Sequence, residues 1–292
     1  MTKIIRFSDG LANRMFQYSC YIYLKQKGYD VAIDDSTPHY LEHDLLEWKK
    51  IFPKAEYTQA KKFKCLLYGG GFDVFSKFLR HYFAVLTKCR IMNGPFDIPT
   101  DEMLGKANYF IGVMQNYRMV EEIKNEILKK FIFTPFDDNS KNKKLADILQ
   151  SQESVSIHIR KGNDYLSRDV YKNTCPIDYY LAAVDYIKSK ISNPHFYVFT
   201  DNIQWVRNEL KGFDYIIIEG NPTVGWGNHF DMQLMSMCKH NIIANSTYSW
   251  WGAFLNNNPL KEVVCPKLWF NPDLEKYCRL NKIMQCAEWT VL

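Results

Sequence analysis

Apolar residues in the second half of the chain come in short blocks, each followed by a longer stretch with helical spacing. "SVSIHIR" (154–160) alternates apolar and polar residues and reads as a strand. "PIDYYLAAVDYIKSKI" after it has the i, i+3, i+4 recurrence of a helix. The alternation repeats: "HFYVFTD" then "IQWVRNELK", "DYIIIEG" then "FDMQLMSMCKH", "NIIAN" then "YSWWGAFLN", with "EVVCP" as a last strand. Strands alternating with helices predict a parallel, doubly wound sheet.

The first 35 residues read as one βαβ unit: "KIIRF", the turn "SDGLAN", the helix "RMFQYSCYIYLKQKG" ending at Gly28, then "YDVAID". Residues 40–105 carry no clear period, apart from "VFSKFLRHYFAVLTKCR" (74–90), which draws as a basic amphipathic helix. Packing on the core is the favoured reading of that helix, and contact with a membrane surface is its alternative. "NYFIGVMQ" reads as a strand and "MVEEIKNEILKKF" as one helix. The polar run "DDNSKNKK" and the helix "KLADILQ" lead to a domain boundary. The expected fold is α/β and GT-B-like, with two Rossmann-like domains facing across a cleft: residues 1–150, holding the irregular 40–105 insertion, and residues 151–292.

Composition fits this picture. The 292 residues are 47% hydrophobic and 24% charged, as in globular proteins. A net charge of +5 suits a phosphate-bearing ligand or an anionic surface and is too small to argue for nucleic acid. The eight cysteines show no metal-type spacing and read as buried thiols of a reducing compartment. Neither a signal peptide nor a membrane-spanning apolar run is present in the sequence, so a cytoplasmic protein is expected.

Three motifs fall where strands end. In "HIRKGNDY", His158 and Arg160 share a strand face, and an arginine fork matches phosphate oxygens bidentately. A structural arginine paired with Asp164 or another carboxylate is equally compatible. In "NIIANSTYSWW", a strand runs into Asn245, Ser246 and Thr247, and a helix starts near Tyr248. Hydroxyls and free N–H groups there suit an anion, and three small polar residues exceed the needs of a cap. Trp250 and Trp251 are core candidates. In "DGLANRMFQY", Asn13 and Arg14 stand near a helix start, but GxGxxG is absent, which excludes a Rossmann dinucleotide loop. No Asp-x-Asp pair exists to hold a metal–diphosphate, and "EHD" (42–44) is a poor substitute, so no metal or cofactor is expected.

These motifs, taken in order, resemble the alpha-1,2-fucosyltransferases of glycosyltransferase family 11, bacterial type. "GLANRMFQY" is similar to that family's GLGNQMFQY and "HIRKGNDY" to its HIRRGDY. "FTDN", "DMQLMSMCKHNIIANSTYSWWGAFLN", "PKLWF" and "EWTVL" follow in the family's order. Ala12, Arg14 and Lys161 depart from it, and Asn163 is an extra residue before Asp164. The resemblance implies an inverting transfer of fucose from GDP-fucose to a galactoside hydroxyl, for O-antigen, capsule or another surface glycan. It assigns Arg160, supported by His158, to the β-phosphate and Asp231 to the guanine. Ser246, Thr247 and Tyr248, with Asn245, go to phosphate and nucleoside, and Asn13 to the reacting carbon. Asp164 is the first candidate for a general base and Asp9 the second. The expected partners are GDP-fucose and an oligosaccharide or lipid-linked glycan, with peripheral membrane contact as an open possibility. The alternatives are another GDP-sugar transferase, a different fucosyl linkage, or a non-catalytic nucleotide-sugar or glycan-binding protein.

Overall fold

The computed structural model describes residues 1–36, 46–68, 70, 74–82, 88–92, 94, 96–274 and 281–292. The chain divides into two compact units. One holds Met1–Thr134 with Val224–Trp226, and the other holds Pro135–Thr223 with Gly227–Leu292. Each is built on a parallel sheet with helical crossovers, as expected for two Rossmann-like domains.

In the first unit the strands β1 (Lys3–Arg6), β2 (Val31–Asp34), β3 (Cys89–Ile91) and β4 (Tyr109–Ile111) lie in the order β2-β1-β4-β3. The chain winds outward from β1 to β2 and then returns to place β4 on the other side of β1. The helix Leu11–Gln26 begins at Gly10, which caps it without a side chain. An aromatic cluster fills this unit. The Trp48 ring lies 5.2 Å from Phe7, 5.3 Å from Tyr18, 5.4 Å from Phe52 and 5.8 Å from Phe131, and its indole N–H donates to the Ala55 carbonyl.

Two sequence readings change here. Residues 40–105 are not irregular throughout: their described part holds the helices Leu46–Ile51, Lys62–Leu67, Val74–Tyr82 and Asp101–Lys106, and β3. Three residues centred on an arginine carry no strand period, so β3 is set by its pairing with β4. The single helix expected over "MVEEIKNEILKKF" is two, Tyr117–Glu122 and Lys124–Lys130, broken at buried Ile123. The "EHD" triplet and part of "YGGGF" lie outside the described residues.

In the second unit β5 (Ser154–Ile159), β6 (His195–Thr200), β7 (Tyr215–Ile218), β8 (His240–Ile242), β9 (Val263–Cys265) and β10 (Thr290–Val291) lie in the order β10-β9-β8-β5-β6-β7, all parallel. The last strand is β10, from the "EWTVL" end, and not β9. Val155, Ile157 and Ile159 point into a core with Val184, Ile187, Phe196 and Val198. Ser156 and His158 therefore face the opposite side, as strand alternation demands. Asn241 ties that side together: its amide donates to Ser156 Oγ (2.7 Å) and the Met235 carbonyl (2.8 Å), and its carbonyl accepts from Asn256 (2.8 Å).

The division falls at Pro135 and not at 150. The helix Lys141–Ser151 belongs with the second unit, where Lys141 donates to the Glu219 carbonyl (2.6 Å) and Asn142 to Asn221 (2.9 Å). Trp250 and Trp251 are fully buried, as expected. Trp250 stacks on Phe254 (4.9 Å, 11°) and donates its N–H to the Met284 carbonyl (2.9 Å). The seven described cysteines are all buried. Replacing Trp250 by Ala will cost about 3–5 kcal/mol in equilibrium denaturation, through the cavity it leaves. Leu260→Ala, at a highly exposed site, will stay within about 0.5 kcal/mol.

Candidate functional site

A doubly wound sheet opens a crevice at the carboxyl edge where neighbouring crossovers leave in opposite directions. In the second unit that point lies between β5 and β8, since β6 and β7 follow to one side of β5 and β8 and β9 lie to the other. Two of the three sequence motifs sit there. β5 runs out at Ile159 into Arg160–Gly162, and β8 runs out at Ile242 into Asn245–Thr247.

Arg160 is half-buried at the end of β5. The β5–β6 register pairs Ile159 with Thr200, so the next residues, Arg160 and Asp201, stand side by side. Arg160 Nε lies 3.9 Å from Asp201 Oδ2, and the guanidinium sits 5.9 Å from the centre of the Tyr165 ring. The carboxylate facing Arg160 is thus Asp201. Its other oxygen accepts from the Lys161 backbone N–H (2.7 Å), and Asn202 donates to the Lys161 carbonyl (2.8 Å), so the loop after β5 is pinned to the end of β6. Asp164 lies on the short helix Asn163–Leu166. The Lys161 ammonium turns away to the Cys175 carbonyl (2.8 Å) and lies over Trp205 (5.3 Å); burial lowers its pKa.

His158 lies one strand step behind Arg160. Burial first, and the Arg160 charge second, push its pKa down to about 3, so the imidazole is neutral. Its Nδ1 is buried without a hydrogen-bond partner among the described residues, and its ring centre lies 6.0 Å from that of Tyr248. Buried polar atoms without partners are uncommon and collect where strain or function is kept.

The second motif is built largely for position. Asn245 is buried and held at both ends of its amide: it donates to the Trp269 carbonyl (2.9 Å) and accepts from the Tyr165 hydroxyl and Cys175 Sγ. Ser246 is the N-cap of the helix Thr247–Phe254, its Oγ accepting from the Tyr248 N–H (3.3 Å). Thr247 opens the helix at intermediate exposure. Tyr248 donates to the Asn228 carbonyl (2.6 Å) and accepts from the Met232 N–H (3.0 Å). Burial, and then the neighbouring Asp231 charge, raise the pKa of this phenol. Asp231 itself accepts from Asn221 (2.6 Å), and burial raises its pKa. Arg160, His158, Tyr165, Asn245 and Tyr248 therefore form one connected group, and Asp231 joins it through Tyr248. Asp201, Tyr165 and Asn221 were missed from the sequence. The polar end of "HFYVFTD" was the available signal for Asp201; Tyr165 and Asn221 gave none.

The third motif lies in the first unit, at the corresponding switch point between β1 and β4. Gln17 is fully buried; its carbonyl accepts from the Ser8 N–H (3.0 Å), and its amide donates to Ser8 Oγ and the Gly112 carbonyl (2.9 Å each). It fastens the loop after β1 to the loop after β4. Asn13 accepts from the Gln115 amide (2.8 Å). The helix begins at Leu11, so Asn13 is inside its first turn and is not its cap. Asp9 holds a left-handed backbone (φ 61°) and accepts from the Ser8 hydroxyl (3.0 Å). Among the described residues no cluster of three His, Cys, Asp or Glu could hold a metal ion.

Comparison with known proteins places this geometry. The profile of the family described as Glycosyl transferase family 11 matches residues 87–290. The chain is 31% identical to an alpha-1,2-colitosyltransferase of Escherichia coli, over 96% of this chain and 99% of that one. It is 39% identical to the Escherichia coli O-antigen biosynthesis glycosyltransferase WbnK, over 42% and 41% of the two chains. It is 24% identical to the gorilla galactoside alpha-(1,2)-fucosyltransferase 2, over 52% and 46%. Among solved structures, the NodZ alpha-1,6-fucosyltransferase soaked with GDP-fucose aligns with a TM-score of 0.47 at 13% identity, covering 87% of this chain and 93% of that one. On the extent of the family match and of the full-length relative, the chain belongs to glycosyl transferase family 11 and is a glycosyltransferase.

Proposed function

We propose that this glycosyltransferase moves a 6-deoxy sugar from its GDP conjugate to a glycan hydroxyl with inversion, making an alpha-1,2 linkage in a surface polysaccharide. The observation that carries the reading is that Arg160 and the start of the helix Thr247–Phe254 follow the ends of the neighbouring strands β5 and β8, at the switch point of the second sheet. An arginine fork and a helix N-terminus are both anion ligands, and a diphosphate leaving group needs both. As the acceptor oxygen bonds to the anomeric carbon, the bond from that carbon to the β-phosphate oxygen breaks and GDP leaves with the bonding electrons. Arg160 and the helix start stabilise the charge growing on the phosphate. Asp231, tied to Asn221 and close to Tyr248, recognises the guanine edge. The acceptor proton passes to a carboxylate: Asp164 is the first choice and Asp9 the second. Asn13, whose amide is fixed by Gln115, orients the acceptor hydroxyl.

The fucosyl and colitosyl readings differ by one hydroxyl, since colitose is fucose lacking the 3-OH. GDP-fucose remains the proposed donor because the start, HIR and DMQ…FLN motifs resemble those of fucosyltransferases. GDP-colitose is the second reading, favoured by the full-length 31% match. A site that hydrogen-bonds the 3-OH rejects the deoxy sugar by up to about 10⁴-fold, whereas an apolar pocket excludes the extra hydroxyl by only about 10²-fold. Initial rates with both donors on a galactoside acceptor decide between them. Release of GDP from neither donor would favour transfer from another GDP-sugar.

Four outcomes follow. Arg160→Lys will lower kcat/KM by about 10²–10³-fold, because an ammonium cannot reproduce the fork; wild-type rates would make Arg160 purely structural. Activity will persist in EDTA, and loss restored by magnesium or manganese would defeat a phosphate site made of arginine and backbone alone. Because the His158 pKa lies near 3, kcat/KM will show no limb from this imidazole between pH 5 and 8. A fall in kcat/KM as pH rises through about 6–7 that disappears in His158→Asn would mean that the imidazole works charged. Finally, Asn13→Ser and Asn13→Ala will retain GDP affinity by calorimetry and lose most of the transfer rate; unchanged rates in the serine variant would remove Asn13 from the reaction.

A further inference from the structure

The first unit carries an exposed surface that inverts the usual helix pattern. A surface helix ordinarily buries its apolar stripe and turns its polar residues to water. In the helix Val74–Tyr82 the small polar Ser76 is buried, while Val74 is 83% exposed and Phe75 68%. Phe78 and Tyr82 follow one and two turns after Val74, with their rings 4.7 Å apart and tilted at 38°, and are also exposed. The helix Lys62–Leu67 repeats the arrangement: Cys65 points inward, and Phe63 (74% exposed), Leu66 and Leu67 point out. Their i, i+3, i+4 spacing puts them on one face. Exposed single apolar residues are ordinary, but two helices in one stretch with apolar faces outward are not.

Charge identifies the occupant. Residues 61–92 contain seven Lys and Arg (Lys61, Lys62, Lys64, Lys77, Arg80, Lys88 and Arg90) against a single acid, Asp73. That excess is larger than the net +5 of the entire chain, so the remaining residues are close to neutral. Outward aromatic and aliphatic residues interleaved with lysines match the boundary of an anionic bilayer, where acyl chains take the apolar groups and headgroups the ammoniums. A second copy of the same surface is a poor partner, because it would bring like charges together as the apolar faces met. No described helix is long and apolar enough to cross a membrane, so the contact is peripheral.

We propose that the helices Lys62–Leu67 and Val74–Tyr82 dock this protein on the surface of an anionic lipid bilayer. The proposal does not depend on the donor or the acceptor. Its test uses the full chain and vesicles of phosphatidylcholine alone or with 30% phosphatidylglycerol, without nucleotide or glycan. The chain will co-float with the phosphatidylglycerol vesicles at low salt and be released as salt rises, since screening weakens the ammonium–headgroup attraction. Phe63→Ser combined with Phe75→Ser will weaken partitioning by about tenfold or more, and so will Lys61→Gln, Lys62→Gln and Lys64→Gln together. All of these side chains are exposed except Lys64, which is half-buried and donates to Thr2 Oγ1 (3.2 Å), and unchanged thermal unfolding will show that both variants fold. Failure of the wild-type chain to bind phosphatidylglycerol vesicles would overturn the proposal, as would equal binding by the folded variants. A dimer seen by light scattering and lost in the phenylalanine variant would overturn it too, by assigning the face to a second copy.

Discussion

The register of β5 against β6 and β8 is the constraint on which the candidate site depends. Pairing Ile159 with Thr200 sets Arg160 beside Asp201, and pairing Ile157 with Ile242 brings the end of β8 next to the end of β5. A slip of one residue would turn His158 and Arg160 to the opposite face and send Val155, Ile157 and Ile159 out of the core. The burial of those three apolar side chains therefore holds two polar ones in place. The candidate site stands on a strand that cannot move without exposing its core face.

Around that strand, polar side chains are used mostly to fasten loops. Asp201 grips the backbone after β5, Asn245 joins the end of β8 to Tyr165 and Trp269, and Gln17 joins two loops in the first unit. Each bond adds about 1 kcal/mol net, but losing one partner strands the other in a buried place at a larger cost. Such loops are fixed before any ligand arrives, which a site for a charged leaving group requires. His158 is the exception. Its buried Nδ1 has no partner among the described residues, and burial, helped by the adjacent arginine, keeps it uncharged.

The two units differ in how far their surfaces are closed. The second alternates strands and helices around a core that takes in Trp250 and Trp251 completely. The first buries Trp48 and Phe52 from the same stretch whose later helices turn phenylalanines outward.

The regular βα alternation of the second unit, its parallel sheet and the strand-end positions of Arg160 and Ser246 were legible in the sequence, because period-2 and period-3.6 patterns encode which side of an element is buried. So were the buried tryptophans and the family, through long motifs with fixed order. The division at Pro135, the strands β3 and β10, the break at Ile123 and the pairing of Arg160 with Asp201 were decided by tertiary structure. Each depends on a partner far along the chain: β3 on β4, Thr290 on Val264, Lys141 on Glu219, Arg160 on a residue one crossover away. Local pattern reports the face a residue prefers. Which other residue waits on that face is settled only when the strands pair.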